Sequence, residues 1–215
     1  MYVKIVKRFF DILISLLGLA LLSWLLLIIS LIVFIDDPGP VFFSQKRVGK
    51  GRTFFRLHKF RTMKMSAPHD TPTHLLENPE KHITRFGRFL RKSSLDELPQ
   101  LFDILRGKMS VVGPRPALWN QYDLLEERDR YGANALRPGL TGWAQINGRD
   151  EISNEEKAKL DGVYTEKMKK GGFTAFGFDV RCFVGTIFSV ARADGVKEGK
   201  SEPGPGGDRL GEKEK

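Results

Sequence analysis

From Ile12 to Ile35 the chain runs for 24 consecutive residues without a charge, most of them Leu or Ile. A helix of that length reaches about 36 Å at ~1.5 Å per residue, enough to enter or cross a ~30 Å hydrocarbon core. The run is longer than a secretory h-region, and no small-residue cleavage site follows it, so an uncleaved anchor is expected. Lys4, Lys7 and Arg8 precede it. After it come Lys46, Arg47, Lys50, Arg52, Arg56, Lys59, Arg61 and Lys64, with no acidic residue between Pro38 and His69. Positive charge marks the cytoplasmic side of a membrane segment, and here both flanks carry it. A segment that enters and returns satisfies both ends; a spanning segment satisfies one.

The 180 residues beyond position 35 hold 32 basic and 25 acidic side chains, so the polar part of the chain is itself cationic, within a total of +9. Such a balance selects anionic partners: nucleic acid, a phosphorylated substrate or a lipid surface. The single cysteine, Cys182, excludes an internal disulfide framework and suits a reducing compartment. The histidines at 58, 69, 74 and 82 lack the spacing of a zinc site.

The pattern along the chain is α+β and helix-rich. Asp36-Asp37-Pro38-Gly39-Pro40 stops the membrane helix. Val41–Gln45 and Thr53–Phe60 read as strands of a short hairpin around Val48-Gly49-Lys50-Gly51, and residues 66–80 as a proline-rich loop. Ile83–Lys92 places Arg85, Arg88 and Arg91 three apart beside Phe86, Phe89 and Leu90, an amphipathic helix suited either to an anionic interface or to an ordinary solvated basic face. Further helices are expected over Leu95–Arg106, Trp119–Tyr131 and Phe173–Ala191. The division is a membrane-inserted helix (1–37), a catalytic domain (38–192) packed around a small core, and a disordered Gly/Pro/Lys/Glu tail (193–215).

The chemistry concentrates between Arg91 and Arg149. Asp96 and Glu97 sit in the first turn of a predicted helix, where Ser94-Leu95-Asp96-Glu97 also fits a capping box. Around them, Gly113-Pro114-Arg115-Pro116, Arg137-Pro138-Gly139 and Asn147-Gly148-Arg149 hold arginines on stiff turns. Arginines fixed in this way suit bidentate binding of phosphate. A carboxylate pair among them fits a phosphorylated substrate, with a carboxylate that attacks or holds a metal. An anionic nucleophile approaching a pyrophosphate needs its charge screened, by arginines or by Mg²⁺. A membrane-anchored polyanion-binding module, and hydrolysis of a nucleotide-linked substrate, are the competing readings.

Four motifs follow one another in order: Lys59-Phe60-Arg61-Thr62-Met63, Ser94-Leu95-Asp96-Glu97-Leu98-Pro99-Gln100, Gly113-Pro114-Arg115-Pro116 and Arg137-Pro138-Gly139-Leu140-Thr141-Gly142. With them the chain resembles the bacterial sugar transferases, the small monotopic phosphoglycosyl transferases, from about Lys4 to Ala191. The resemblance implies transfer of a sugar 1-phosphate from a UDP-sugar to polyprenol phosphate (undecaprenyl phosphate), with release of UMP, at the cytoplasmic face of the bacterial inner membrane. It implies that Asp96 attacks the sugar-linked phosphorus to form a phosphoglycosyl-aspartate, with Glu97 assisting and Mg²⁺ held near Asp96. It assigns Lys59, Arg91, Arg115 and Arg149 to phosphate or nucleotide contacts, and Asp161, in the Asp161-x-x-Tyr164 position, to support of the substrate site. Nucleic acid is not among the implied partners. The family's N-terminal helix is re-entrant, broken by a Ser-Pro pair; here Ser23-Trp24 occupies that place, which removes the strongest reason for a bend. Met168-Lys169 likewise departs from the aromatic and serine usual after the Asp-x-x-Tyr position.

Overall fold

The computed structural model describes residues 2–67, 79–148 and 152–192. Most of the expected loop at 66–80, Arg149 and the expected tail from 193 onward lie outside the described residues. A π-helical turn, Tyr2–Val6, leads into α1 (Lys7–Asp36). The strands β1 (Phe42–Val48) and β2 (Phe54–Phe60) form an antiparallel hairpin in which Phe42 pairs Phe60 and Val48 pairs Phe54. Its turn is a short 3₁₀ segment with Gly51 at φ 64°, where a left-handed backbone suits glycine. Next come α2 (Pro79–His82), α3 (Arg85–Lys92), α4 (Gln100–Leu105) and β3 (Ser110–Val112). The chain continues through α5 (Tyr122–Arg130), β4 (Gly139–Thr141), α6 (Trp143–Ile146), α7 (Asn154–Lys170) and α8 (Gly172–Arg192).

The main core gathers Phe55 and Leu57 from β2, Leu101 and Ile104 from α4, Val111 and Val112 from β3, and Tyr164 and Met168 from α7. A second cluster joins Ile29 and Val33 of α1 to Phe60 and Leu90. The most deeply buried of these, Leu90 and Ile104, are each worth about 1.5–3 kcal/mol by removal of apolar surface from water.

The membrane helix continues without interruption through Ser23, whose hydroxyl donates to the Ala20 carbonyl (3.0 Å). Both of its ends are fastened to the same body. At the start, Asp179 of α8 accepts from Tyr2 Oη (2.6 Å) and Lys7 Nζ (2.8 Å). Asp11 accepts from Ser110 Oγ (2.9 Å) and the Val111 amide (2.8 Å), and Arg8 donates to the Ile104 and Leu105 carbonyls at the end of α4. At the finish, Asp36 accepts from the Phe86 amide (3.1 Å), and Arg61 donates to the Asp37 carbonyl. Between these anchors, Asp11, Ser15, Gly18, Leu22, Leu25, Ile29 and Val33 repeat every three or four residues as the covered face. The opposite face is bare: Leu21 is 70 % exposed and Leu27 72 %. α8 extends that apolar surface with Phe176, Phe183 and Phe188, joined to α1 where Phe10 meets Phe176 at 5.7 Å. An uncovered apolar surface of this extent is a surface for lipid or a partner.

Three sequence expectations change. Leu95–Arg106 is a 3₁₀ turn (Leu95–Glu97) followed by α4, and Ser94 is no capping residue: it lies at φ 56° and its side chain caps nothing. The capping interaction belongs instead to Thr84, whose hydroxyl accepts from the Gly87 amide and starts α3. Trp119 precedes α5 rather than opening it. Helix α7 goes beyond what the sequence analysis assigned, although Ser153 accepts from the Glu156 amide, Glu155 and Glu156 lie in its first turn, and Gly171 at φ 68° follows its end.

β3 and β4 pair in parallel, Ser110 with Gly139 and Val112 with Thr141. Gly113, Gly139 and Gly142 let the two motif turns meet backbone to backbone: a Cβ at Gly113 would stand 2.5 Å from the Arg137 carbonyl oxygen, and one at Gly139 would collide with the Gly113 nitrogen. Rigid backbone stands on both sides of that collision. We therefore expect Gly139→Ala to destabilise the protein by about 3 kcal/mol or more, read as a fall in thermal midpoint in detergent; an unchanged midpoint would contradict this packing.

Candidate active site

The acidic pair is presented by the turn Leu95–Glu97, between α3 and α4, and both side chains are buried, each residue 7 % exposed. Ser94, left-handed and not glycine, redirects the chain into this turn; such a residue costs about 1–3 kcal/mol and is characteristic of functional sites. Strand alternation supplies the first cation. Phe55, Leu57 and Lys59 lie on one face of β2; the first two fill the core and the third reaches the acids. Lys59 Nζ donates to Glu97 Oε1 at 2.7 Å and stands 3.5 Å from Asp96 Oδ2. The second cation comes from the turn after β3: Arg115 Nη2 donates to the same Glu97 Oε1 at 3.1 Å. Arg91, at the end of α3, donates through Nε to Thr62 Oγ1 (2.8 Å), and its charge acts on Asp96.

The two carboxylates are thus held differently. Glu97 is bound by two cations at hydrogen-bond distance, whereas Asp96 has a looser ion pair with one. Glu97 Oε1 is thus taken up by two donors, and Asp96 is the more loosely held of the two carboxylates. Burial pushes the Asp96 carboxyl above the ordinary carboxylate range; Lys59 opposes this and the neighbouring Glu97 reinforces it.

Among the residues expected at the site, Lys59, Arg91, Arg115, Asp96 and Glu97 come together, and Arg149 lies outside the described residues. Asp161 stands behind them. It is 1 % exposed and bound to Arg128, at 2.8 Å to Nε and 2.6 Å to Nη2, and Arg128 Nη1 in turn donates to the Arg115 carbonyl (2.9 Å). Arg137 turns away from the acids to the Gly107 carbonyl (3.1 Å).

The family described as bacterial sugar transferase matches residues 2–193. The chain belongs to that family. A Bacillus subtilis (strain 168) protein named uncharacterized sugar transferase EpsL is 38% identical over 194 residues, covering 90% of this chain and 91% of its own length. The UDP-glucose:undecaprenyl-phosphate glucose-1-phosphate transferase of Escherichia coli (strain K12) is 42% identical over 158 residues, which are 72% of this chain and 34% of that protein. The UDP-N-acetylgalactosamine-undecaprenyl-phosphate N-acetylgalactosaminephosphotransferase of Aeromonas hydrophila is 39% identical over 163 residues, 73% of this chain and 37% of its own. The chain therefore spans about a third of the relatives whose names state a reaction, and nearly all of the first.

As to a metal, no group of three or more His, Cys, Asp or Glu side chains gathers among the described residues. Asp96 and Glu97 nevertheless offer hard oxygen donors, and Mg²⁺ is commonly held by one or two carboxylates together with substrate phosphates and water. The donor set fits that mode.

Two arginines beside the Arg115 turn are not singled out by the sequence. Arg128 was hidden in an acidic helix, and Arg47 was one of eight cations in the basic block. Arg47 is half-buried and donates to the Pro116 carbonyl (3.0 Å) and Gln45 Oε1 (2.8 Å). Burial lowers its pKa to about 10, with Arg115 adding to the effect, so it remains charged at neutral pH.

A test follows from the raised Asp96 carboxyl. A carboxylate that serves as nucleophile must be ionised, so with Asp96 in that role the rate falls as pH drops through its raised pKa. The acid limb of turnover is expected above the ordinary value of about 4, and Lys59→Gln should move it further up, because Lys59 holds the pKa down. A limb at the ordinary value, or one unmoved by the substitution, would count against the assignment.

Proposed function

We propose that this protein transfers a sugar 1-phosphate from a UDP-sugar to undecaprenyl phosphate, releasing UMP and forming an undecaprenyl-diphosphate-sugar. The observation that carries the reading is the buried pair in which Glu97 is immobilised by Lys59 and Arg115 while Asp96 is held loosely. The Escherichia coli and Aeromonas relatives, named for this reaction with glucose and N-acetylgalactosamine, support the substrate class.

In the first step an Asp96 Oδ forms a bond to the sugar-linked phosphorus, and the bond from that phosphorus to the bridging oxygen breaks. UMP leaves with the bridging oxygen and its electron pair. In the second step an oxygen of the lipid phosphate attacks the same phosphorus and displaces the Asp96 carboxylate, which restores the enzyme. Two anions meet in each step, so Lys59, Arg91 and Arg115 serve by placing fixed positive charge around the phosphorus, where a water-poor site makes it most effective. Mg²⁺ would be held by Asp96, with Glu97 beside it, and would supply charge neutralisation of the phosphates.

A lipid acceptor calls for a site at a membrane surface. With α1 fastened at both ends to one body, both ends lie on the side of the membrane that holds that body. The bare faces of α1 and α8 enter one leaflet, and the basic residues Arg85, Arg88 and Lys92 of α3 meet anionic headgroups. A cytoplasmic substrate and the basic flanks support a site at the inner face of the bacterial plasma membrane.

The full chain in bilayer nanodiscs with undecaprenyl phosphate and Mg²⁺ should release UMP from at least one of a panel of UDP-sugars. Asp96→Asn should lower the rate by at least about 10³-fold and Glu97→Gln by about 10²-fold, with neither variant losing thermal stability. Turnover that survives Asp96→Asn would refute Asp96 as nucleophile. The topology has its own check: the native Cys182 is buried, so cysteines introduced at the exposed positions Lys4 and Pro40 report on the two ends of α1. Both should react with an impermeant maleimide from the cytoplasmic side alone, and labelling from opposite sides would refute this one-sided placement.

A further inference from the structure

Four consecutive backbone carbonyls around the Arg115 turn each accept a donor from elsewhere in the fold. The Pro114 carbonyl accepts from the Gly139 amide (2.9 Å), that of Arg115 from Arg128 Nη1 (2.9 Å), that of Pro116 from Arg47 Nη1 (3.0 Å), and that of Ala117 from the Val48 amide (3.0 Å). The prolines at 114 and 116 have no amide hydrogen, so the turn cannot fasten itself through its own N–H groups there. Its two central carbonyls depend on side chains, and both side chains are arginines that are themselves held. Arg128 is gripped by Asp161 through two nitrogens and is 5 % exposed. Arg47 is gripped by Gln45.

We propose that Arg47 and Arg128 are positioning residues that hold the turn carrying Arg115 so that its guanidinium meets Glu97, with Asp161 as the anchor of Arg128. Asp161 therefore acts on the site at two removes. Arg128 spans two partners at once, Asp161 with Nε and Nη2 and the Arg115 carbonyl with Nη1, which is what a planar fork with several donors can do. A lysine ammonium keeps the charge but cannot serve both with the same geometry. Arg47 makes no ion pair among the described residues; its buried Nε has no hydrogen-bond partner, and its hydrogen bonds go to the carbonyl of the turn and to Gln45. That arrangement is costly for a cation and is accounted for if the carbonyl of the turn is what it is there to hold.

This inference rests on the reaction proposed above, so its test has one arm that needs no turnover. Hydrogen–deuterium exchange on the full chain in nanodiscs should show faster exchange over residues 111–121 in Arg128→Lys, and no such change in Arg115→Ala, which keeps every backbone acceptor. Unchanged exchange in Arg128→Lys overturns the proposal. The second arm is a double-mutant cycle on UMP release. Arg128→Lys alone should lose about 10²-fold, the scale of a misplacement near 1 Å. In an Arg115→Ala background it should lose less than about twofold further, because the group it positions is gone. Losses that multiply would show that Arg128 acts independently of Arg115 and would overturn the proposal. If wild type turns over no UDP-sugar, the reaction reading falls while the exchange arm still decides the positioning. Arg47→Lys and Asp161→Asn carry the same expectations in both arms; if all three variants fail to fold, these residues serve stability alone and the proposal is wrong.

Discussion

Burying Asp96 and Glu97 side by side takes two like charges out of water, and a site of that kind persists only where cations are brought against it. The surrounding structure is organised around that requirement. One cation arrives on the hairpin, one on the turn after β3 and one at the end of α3, so three segments far apart in the chain must be held in register to bring positive charge against the acids. Because Lys59 and Arg115 converge on Glu97, that residue becomes a fixed member of the charge lattice. Asp96, its immediate neighbour, is left with the weaker hold. Adjacent residues of the same chemical class are thus held differently by their surroundings alone.

Holding three segments in register makes the long apolar helix α1 part of the same body as the acidic pair. Arg61, two residues past Lys59, donates to Asp37 at the end of α1, and Thr62 accepts from Arg91. The strand end that delivers Lys59 to the acids therefore also ties down the exit of the apolar helix. At its start, Lys7 and Tyr2 converge on Asp179, which also accepts from Tyr164. The burial of Tyr164 and the neighbouring carboxylate push its phenol far from ionisation, so it serves as a permanent donor. A helix bound in this way cannot move relative to the site without breaking buried polar contacts, each expensive to leave unmade.

Much of this was legible in the chain. The apolar run with basic flanks announced the membrane helix, the hairpin followed from its apolar runs and Gly-Lys-Gly turn, and the acidic pair among Pro- and Gly-held arginines pointed to phosphate chemistry. Local rules failed where tertiary contacts overrode them. Ser94 reads as a helix cap by spacing, yet it is left-handed because the acids must be turned into the core of the site. Gly113 and Gly139 read as turn residues, whereas their role is to let two turns touch backbone to backbone. Arg137 resembles Arg115 in sequence context and points elsewhere, since only position along the fold separates them.

By itself the sequence determined the kinds of side chain available and their local geometry: a greasy helix, stiff turns, paired acids and an excess of fixed positive charge. Those properties depend on neighbours along the chain, through hydropathy, φ restriction and electrostatic composition. The tertiary structure alone decided which carboxylate is pinned and which is held loosely, that Asp161 grips Arg128, and that both ends of the long apolar helix are fastened to one body. These arrangements depend on partners between 18 and 177 residues apart, and charge–charge and hydrogen-bond energies are set by ångström-scale distances that no local pattern encodes.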